Sequence, residues 1–123
     1  MEARHLLQGG HASGAYYLAG YSVECAIKAC IARKTERYEF PDLRTVSASY
    51  THDLEKLIKV AGLSSRLESD AQVEPGFAVN WRTVKDWSEQ SRYEVRPLAE
   101  AENLVSAIGD PRHGVLKWLR QHW

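Results

Sequence analysis

The amino-acid sequence predicts an all-α fold, an antiparallel helical bundle, in one domain that spans residues 1–123. Apolar residues recur at helical spacing in most segments, and no two segments show the alternation of paired strands. Glycine, proline and serine separate the segments at short intervals, and no linker is long enough to divide two domains. Amphipathic helices with short connections bury their apolar faces by packing into a bundle.

The first long helix is predicted to begin near Ser13, which can act as its N-cap, and to end near Glu39, two residues before Pro41. The stretch 14–34, GAYYLAGYSVECAIKACIARK, is apolar around most of its circumference, which is typical of a helix at the centre of a bundle. Its small residues allow another backbone to approach closely. These small residues are Gly14, Ala15, Ala19 and Gly20.

Two further helices are predicted from their start and stop signals. Thr51 can cap a short helix that Gly62 closes in the left-handed conformation. Ser65 and Glu68 match a capping box at the start of the next helix, which the turn "VEPGF" follows.

The last third of the chain predicts three more helices. Asn80 can cap the first of them, and Pro97 suits the first position of the second. The stretch 109–111, Gly-Asp-Pro, indicates a stop and a restart, and the final helix turns Val115, Leu116, Leu119 and Trp123 towards the core. Trp118 lies off that stripe and is a candidate for a subunit interface.

A polar strip crosses the long helix. At 100° per residue, four polar or aromatic residues fall on one face, with the glutamate preceding the lysine in the favourable i, i+4 order. Packing specificity alone can retain a buried ion pair, so we interpret the strip as a structural seam. The alternative is a cleft that faces a ligand or a second subunit. The strip consists of Tyr17, Tyr21, Glu24 and Lys28.

Composition narrows the classes of function. Sixteen basic and 16 acidic residues give a net charge of zero, so any surface that attracts nucleic acid must be local. Cys25 and Cys30 point roughly 140° apart on a helix and cannot bridge each other, so we expect buried free thiols and a reducing, cytoplasmic setting. Charges within 14–34 argue against membrane insertion. No residues have zinc-site spacing, and we expect neither metal nor cofactor.

Four segments follow one another along the chain: GAYYLAGYSVECAIKA, YTHDLEKL, WSEQSRYE and DPRHGVLKWLRQHW. Together, and in this order, they resemble the HEPN domain family over nearly the whole chain. The resemblance implies four core helices plus shorter ones, and usually a homodimer. Such domains occur beside nucleotidyltransferases, in toxin–antitoxin pairs and in defence systems. Many are metal-independent endoribonucleases, whereas others are RNA- or nucleotide-binding partners without catalysis.

The catalytic signature of that family is an arginine followed, four to six residues later, by a histidine. Arg92 stands in the corresponding region, "SRYEVRP", but no histidine follows it in the window. A literal match from Arg4 to His11 lies at the wrong end of the chain, and we treat it as coincidence. We therefore expect a catalytically degenerate module that binds RNA or a nucleotide.

The expected RNA-binding residues form a local basic and aromatic patch, with cations for phosphates and a ring for stacking. Arg92 is the phosphate-facing candidate, Tyr93 and Arg96 lie beside it, and Arg82 and Lys85 lie upstream. A second basic face is expected on the final helix. It consists of Arg112, His113, Lys117, Arg120 and His122.

Two alternatives remain open. His52, at a helix start, either packs and caps there or replaces the missing histidine, in which case Arg92 and His52 form the catalytic pair of a metal-independent endoribonuclease. The second alternative is a protein-interaction domain that pairs with a nucleotidyltransferase or an antitoxin and binds no RNA.

Overall fold

The computed structural model describes residues 3–5, 11–37 and 50–123, apart from the side chains of Glu36, Arg37, Arg92 and Tyr93. These residues form six α-helices, one 3-10 helix and a helical stretch at 3–5, and they contain no strand, which confirms the all-α bundle. The α-helices are α1 (Ala12–Arg37), α2 (Leu54–Val60), α3 (Ser64–Val73), α4 (Pro75–Val84), α5 (Leu98–Gly109) and α6 (Val115–Arg120), and the 3-10 helix is Glu89–Tyr93.

Helix α1 lies at the centre of the bundle, as its nearly continuous apolar surface predicts. It packs against α2, the 3-10 helix, α5 and α6. Val23 and Ile27 are fully buried. Burial of each large aliphatic side chain contributes about 1.5–3 kcal/mol, so these contacts dominate the stability of the bundle. The fully buried aliphatic side chains of the other helices are Leu54, Leu57, Val84, Leu104, Ile108, Val115 and Leu119.

The predicted N-caps of the first two helices are wrong by one or two residues. Helix α1 begins at Ala12, and Ser13 Oγ accepts a hydrogen bond from the backbone of Arg96 at 2.9 Å instead of capping its own helix. Asp53, not Thr51, caps α2 by accepting from Lys56 N at 3.1 Å. The predicted end of the long helix near Glu39 lies outside the described residues.

Helices α3 and α4 also begin earlier than the sequence predicts. Leu63 occupies the N-cap position of α3 without a side-chain bond, so the capping box of Ser65 and Glu68 does not form. Pro75 opens α4, where its missing N–H costs no helical bond. Asn80 is therefore in mid-helix, and its side-chain amide donates to the carbonyl oxygen of His113 at 2.9 Å.

The C-terminal helices close the core. Pro97 is the N-cap of α5 rather than its first residue, and α5 ends at Gly109 as predicted. Trp118 is 6% exposed, packs against Phe77 and donates from Nε1 to Asp70 Oδ2 at 2.7 Å, so the prediction of a subunit-interface residue is wrong. Trp123 lies beyond α6 and is exposed rather than core.

The two cysteines differ in environment. Both are free thiols, but only Cys30 is buried, and Cys25 is exposed because it lies on the outer face of α1. Cys30 Sγ donates weakly to the carbonyl oxygen of Leu119 at 3.7 Å. Burial raises the pKa of the Cys30 thiol, which keeps it protonated and unreactive. The expectation of two buried thiols is therefore half wrong.

Candidate functional site

The polar strip of α1 forms as a contiguous feature. Tyr17 and Tyr21 stack with ring centroids 6.0 Å apart, and Lys28 Nζ lies 3.6 Å from Glu24 Oε2. Glu24 is only 2% exposed, whereas the Lys28 side chain is 35% exposed. The strip is thus a buried carboxylate with a cation at its rim, since the lysine stem lets its ammonium group reach water.

His52 meets this carboxylate from the segment before α2. Its Nδ1 lies 2.8 Å from Glu24 Oε1, which fixes the ring plane. Asp53, the next residue, caps α2 and fixes the backbone from which His52 projects. A buried carboxylate that holds one imidazole nitrogen leaves the other nitrogen facing outward, an arrangement that suits proton transfer or ligand binding.

The outward nitrogen of His52 contacts the 3-10 helix. Nε2 lies 3.2 Å from Glu89 Oε2, in the first turn of that helix. Ser88 caps the turn by accepting from Gln90 N at 3.1 Å. His52 therefore bridges a carboxylate on α1 and a carboxylate on the 3-10 helix, two elements that the sequence separates widely.

Trp87 fixes the position of the 3-10 helix on α1. It is buried, and its indole lies against Gly20 and tilts across the ring of Tyr17 at 6.0 Å between centroids. A Cβ added at Gly20 would lie 2.2 Å from the indole, so only glycine fits there. The small residues of α1 thus allow close approach as predicted, but at Gly20 an aromatic side chain rather than a backbone takes the space.

A cleft of about 420 Å³, the His52 cleft, opens beside this bridge. Its only described lysine or arginine, Lys85, lies 3.9 Å from Glu55 Oε1, and acidic groups outnumber basic ones among the described lining residues. A phosphodiester chain would be repelled inside the cleft, whereas groups that donate hydrogen bonds would be attracted. The lining residues are His52, Asp53, Glu55, Lys85, Asp86, Trp87, Ser88, Glu89 and Gln90.

Arg92 and Tyr93 belong to the same 3-10 helix as Glu89, and their backbone is close to the His52 cleft along the chain. Their side chains lie outside the described part of the structure. That the Arg92 guanidinium and the His52 ring share a cleft therefore stays a prediction. The contact between His52 and Glu89 does bring the segment before α2 against the segment that carries Arg92.

Arg96 is held by contacts within the protein. Its guanidinium bonds to the carboxylates of Glu94 and Glu100 and lies over the ring of Tyr16, 4.6 Å from the centroid. Its backbone N–H donates to Ser13 Oγ. Burial raises the pKa of the Tyr16 hydroxyl. These contacts fasten the segment before α5 to the start of α1 and leave little of the Arg96 guanidinium for a phosphate.

Arg82 and Lys85 flank a second cleft of about 330 Å³ between α2, α3 and α4. Trp81 lines this cleft and is buried, so it belongs to the core. Arg82 is exposed. Lys85 and Glu55 line both clefts and form the wall between them.

The second basic face is partly engaged in packing. Lys117 Nζ donates to the carbonyl oxygen of Pro111 at 3.0 Å, and His122 lies against Trp118 with centroids 4.6 Å apart. Burial and the nearby Arg66 lower the pKa of the His122 imidazole, which keeps it neutral near pH 7. Arg112 remains an exposed cation on this face.

Glu89 is a residue of the candidate site that the sequence did not identify. Its pairing with His52 depends on how two distant segments pack together, and no local sequence pattern indicates that packing.

Within residues 3–5, 11–37 and 50–123, no three metal-ligating side chains are grouped to hold an ion. None of the described helices is both long and apolar enough to cross a membrane.

Comparison with known proteins adds no further assignment. No family model matches the chain, and no curated protein or solved structure matches it either.

Proposed function

We propose that this protein is a HEPN-like module that binds RNA or a related nucleotide in a toxin–antitoxin or defence system, without efficient catalysis. Two features support this. The four segments that resemble the family occur in order along an all-α bundle. The family's catalytic histidine does not follow Arg92, so binding is the function that remains.

The observation that carries the proposal is the contact between His52 and Glu89 at 3.2 Å. It joins the His52 cleft to the 3-10 helix that bears Arg92 and Tyr93. Carboxylates, Ser88 and Gln90 in the cleft can accept hydrogen bonds from the amino groups of an unstacked base. A phosphate would then lie outside the cleft, on the side of Arg92, where a guanidinium can hold it in a bidentate contact.

The experiment measures binding of a fluorescent single-stranded oligoribonucleotide by anisotropy at two salt concentrations. We expect Arg92→Ala to weaken binding by about 10- to 150-fold, because a charge-assisted phosphate contact is worth about 1.5–3 kcal/mol, and to reduce the salt dependence. Arg112→Ala, an exposed arginine on the second basic face, is the matched control. Loss of binding in Arg112→Ala alone would overturn the proposal.

A metal-independent endoribonuclease is the second candidate, and the 2.8 Å contact of His52 with buried Glu24 favours it. In its neutral form, and once separated from Glu89, His52 Nε2 would take the proton from the 2′-hydroxyl as the 2′-oxygen attacks phosphorus. The bond to the 5′-oxygen breaks, and the 5′-oxygen takes up a proton from water. Arg92 would stabilise the charge that develops on the phosphate oxygens. Cleavage of RNA in the presence of EDTA, lost in both His52→Ala and Arg92→Ala but kept in Arg112→Ala, would establish it.

A protein-interaction role remains as the outcome if neither experiment succeeds. Absence of both RNA binding and cleavage would favour a partner of a nucleotidyltransferase or an antitoxin.

We also propose that the protein forms a homodimer, since the family that it resembles usually does. Light scattering coupled to size exclusion tests this, and a monomer mass at 100 µM or more, roughly the upper end for a weak dimer, would contradict it.

A further inference from the structure

His52 faces a carboxylate oxygen with each of its ring nitrogens, at 2.8 Å on Glu24 and 3.2 Å on Glu89. A carboxylate only accepts hydrogen bonds, so both contacts are hydrogen bonds only when both nitrogens carry hydrogen. In the neutral ring one nitrogen presents a lone pair to a carboxylate oxygen, and that contact becomes repulsive. Protonation of the ring therefore favours this arrangement, and loss of the proton weakens one of the two contacts.

The two carboxylates differ in how firmly they are held. Glu24 is 2% exposed, lies on the central helix and also faces Lys28. Glu89 is 41% exposed and lies on a short 3-10 helix. In the neutral ring the remaining N–H therefore donates to Glu24, and the nitrogen that carries the lone pair faces Glu89. The Glu89 carboxylate is then the one that moves away from the ring.

We propose that protonation of His52 latches the 3-10 helix Glu89–Tyr93 onto the start of α2, and that loss of the proton releases it. Since this helix bears Arg92, the latch would regulate the site proposed above. That regulatory role rests on the proposed function, but the latch itself does not.

Only Glu24 and Glu89, among the described residues, lie within hydrogen-bond distance of the ring. The other charged groups nearby belong to α1, to the start of α2 and to the segment after α4, and none of them replaces the contact with Glu89. These groups are Lys28, Asp53, Glu55, Lys85 and Asp86.

Hydrogen exchange of backbone amides measures the latch directly. Ser91 N–H donates to the carbonyl oxygen of Ser88 at 3.0 Å, and Glu94 N–H donates to that of Ser91 at 3.3 Å. After correction for intrinsic exchange, we expect protection of these amides to fall roughly two- to fivefold from pH 5 to pH 8, the range in which imidazole titrates and the size expected for a half-exposed ion pair. Amides of α1 report whether the protein remains folded.

Two variants and a control make the test specific. His52→Gln cannot be protonated, so the pH dependence should disappear. Glu89→Gln should stay latched at both pH values, because its amide donates to a neutral ring and its oxygen accepts from a protonated one. Exposed His11→Gln should behave as the wild type. Constant protection in the wild type, or an unchanged pH dependence in Glu89→Gln, would overturn the latch, whereas failure to bind RNA with a working latch would overturn only the proposed function.

Discussion

Glu24 is the residue on which the candidate site depends most. It is almost completely buried, and its two oxygens face Lys28 and His52. The strip that contains it could be predicted from the sequence, because a rotation of 100° per residue fixes which side chains share a helix face. The approach of His52 could not be predicted, because it comes from a segment 28 residues away whose docking depends on tertiary packing.

Replacement of this buried acid should destabilise the protein. Glu24→Ala leaves the donors of His52 and Lys28 without their acceptor, and we expect the free energy of unfolding to fall by about 1–3 kcal/mol. Denaturant unfolding followed by circular dichroism measures it. The exposed Glu102→Ala on α5 should change stability by less than about 0.5 kcal/mol. An equal loss in the free energy of unfolding for both variants would contradict the structural role of Glu24.

Asp110 should make the stability of the protein depend on pH under acidic conditions. The backbone N–H groups of Arg112 and His113 donate to its Oδ1 at 2.8 and 3.1 Å, and they lower the pKa of the carboxyl from its ordinary 3.8. A lowered pKa in the folded state stabilises the protein above the unfolded pKa, and this stabilisation is lost as the pH falls through the folded pKa. Asp110→Asn should therefore show a shallower loss of thermal stability below about pH 4 than the wild type. An identical acid profile for the two proteins would contradict this assignment.

At the scale of secondary-structure elements, Trp87 packs the segment before the 3-10 helix against α1. Trp87 lies on Gly20 and Tyr17, in the space that the missing side chain of glycine leaves. The sequence indicates that small residues permit close approach on α1, but it does not identify the partner. An indole and a backbone segment both fit such a surface, and only the fold decides between them.

Gly20→Ala should disrupt this contact, because the added Cβ would lie 2.2 Å from the indole. Overpacking of this kind costs about 1–3 kcal/mol of stability. A double-mutant cycle with Trp87→Leu tests the cause, since the smaller side chain relieves the clash and Gly20→Ala should then cost less. Strictly additive effects would mean that the two positions do not interact.

Two variants at the start of α2 compare the N-cap that the sequence predicts, Thr51, with the one in the structure, Asp53. Asp53→Ala removes the acceptor for Lys56 N–H, and we expect a loss of about 0.5–2 kcal/mol, as for other N-caps. Thr51→Ala should cost less, because Thr51 Oγ1 accepts only from Asp53 N at 3.2 Å, outside the helix. Unfolding midpoints of the two variants in urea give the comparison. A larger loss of stability for Thr51→Ala would contradict this assignment and indicate that Thr51 is the N-cap.

Helix identity could be predicted from periodicity more reliably than helix boundaries. The apolar stripe of α6 buries Val115 and Leu119 as the pattern indicates, although Trp123, beyond the end of the helix, is exposed. Asn80 and Ser65 are good N-cap residues that nevertheless lie within helices. Capping propensity is worth only about 1 kcal/mol, and tertiary contacts such as that of Asn80 with His113 can override it.

At the scale of the whole molecule, the neutral net charge conceals an uneven distribution. The His52 cleft is acidic among its described residues, although it adjoins the segment that the sequence marks as basic. The fold class could be predicted from the amino-acid pattern, but this charge distribution could not. It depends on ion pairs that form in the folded protein, in which Arg96 pairs with Glu94 and Glu100, and Lys85 faces Glu55. The proposed RNA ligand would therefore approach with its bases towards the cleft and its phosphates away from it.

An NMR titration with a short single-stranded oligoribonucleotide tests the central claim most directly. We expect the largest backbone shift changes at residues 52–53 and 86–93, all with the same dependence on ligand concentration. Arg92→Ala should reduce these changes at equal ligand concentration. Changes confined to Val115–Trp123, or no changes at any ligand concentration, would contradict a nucleic-acid site at the His52 cleft.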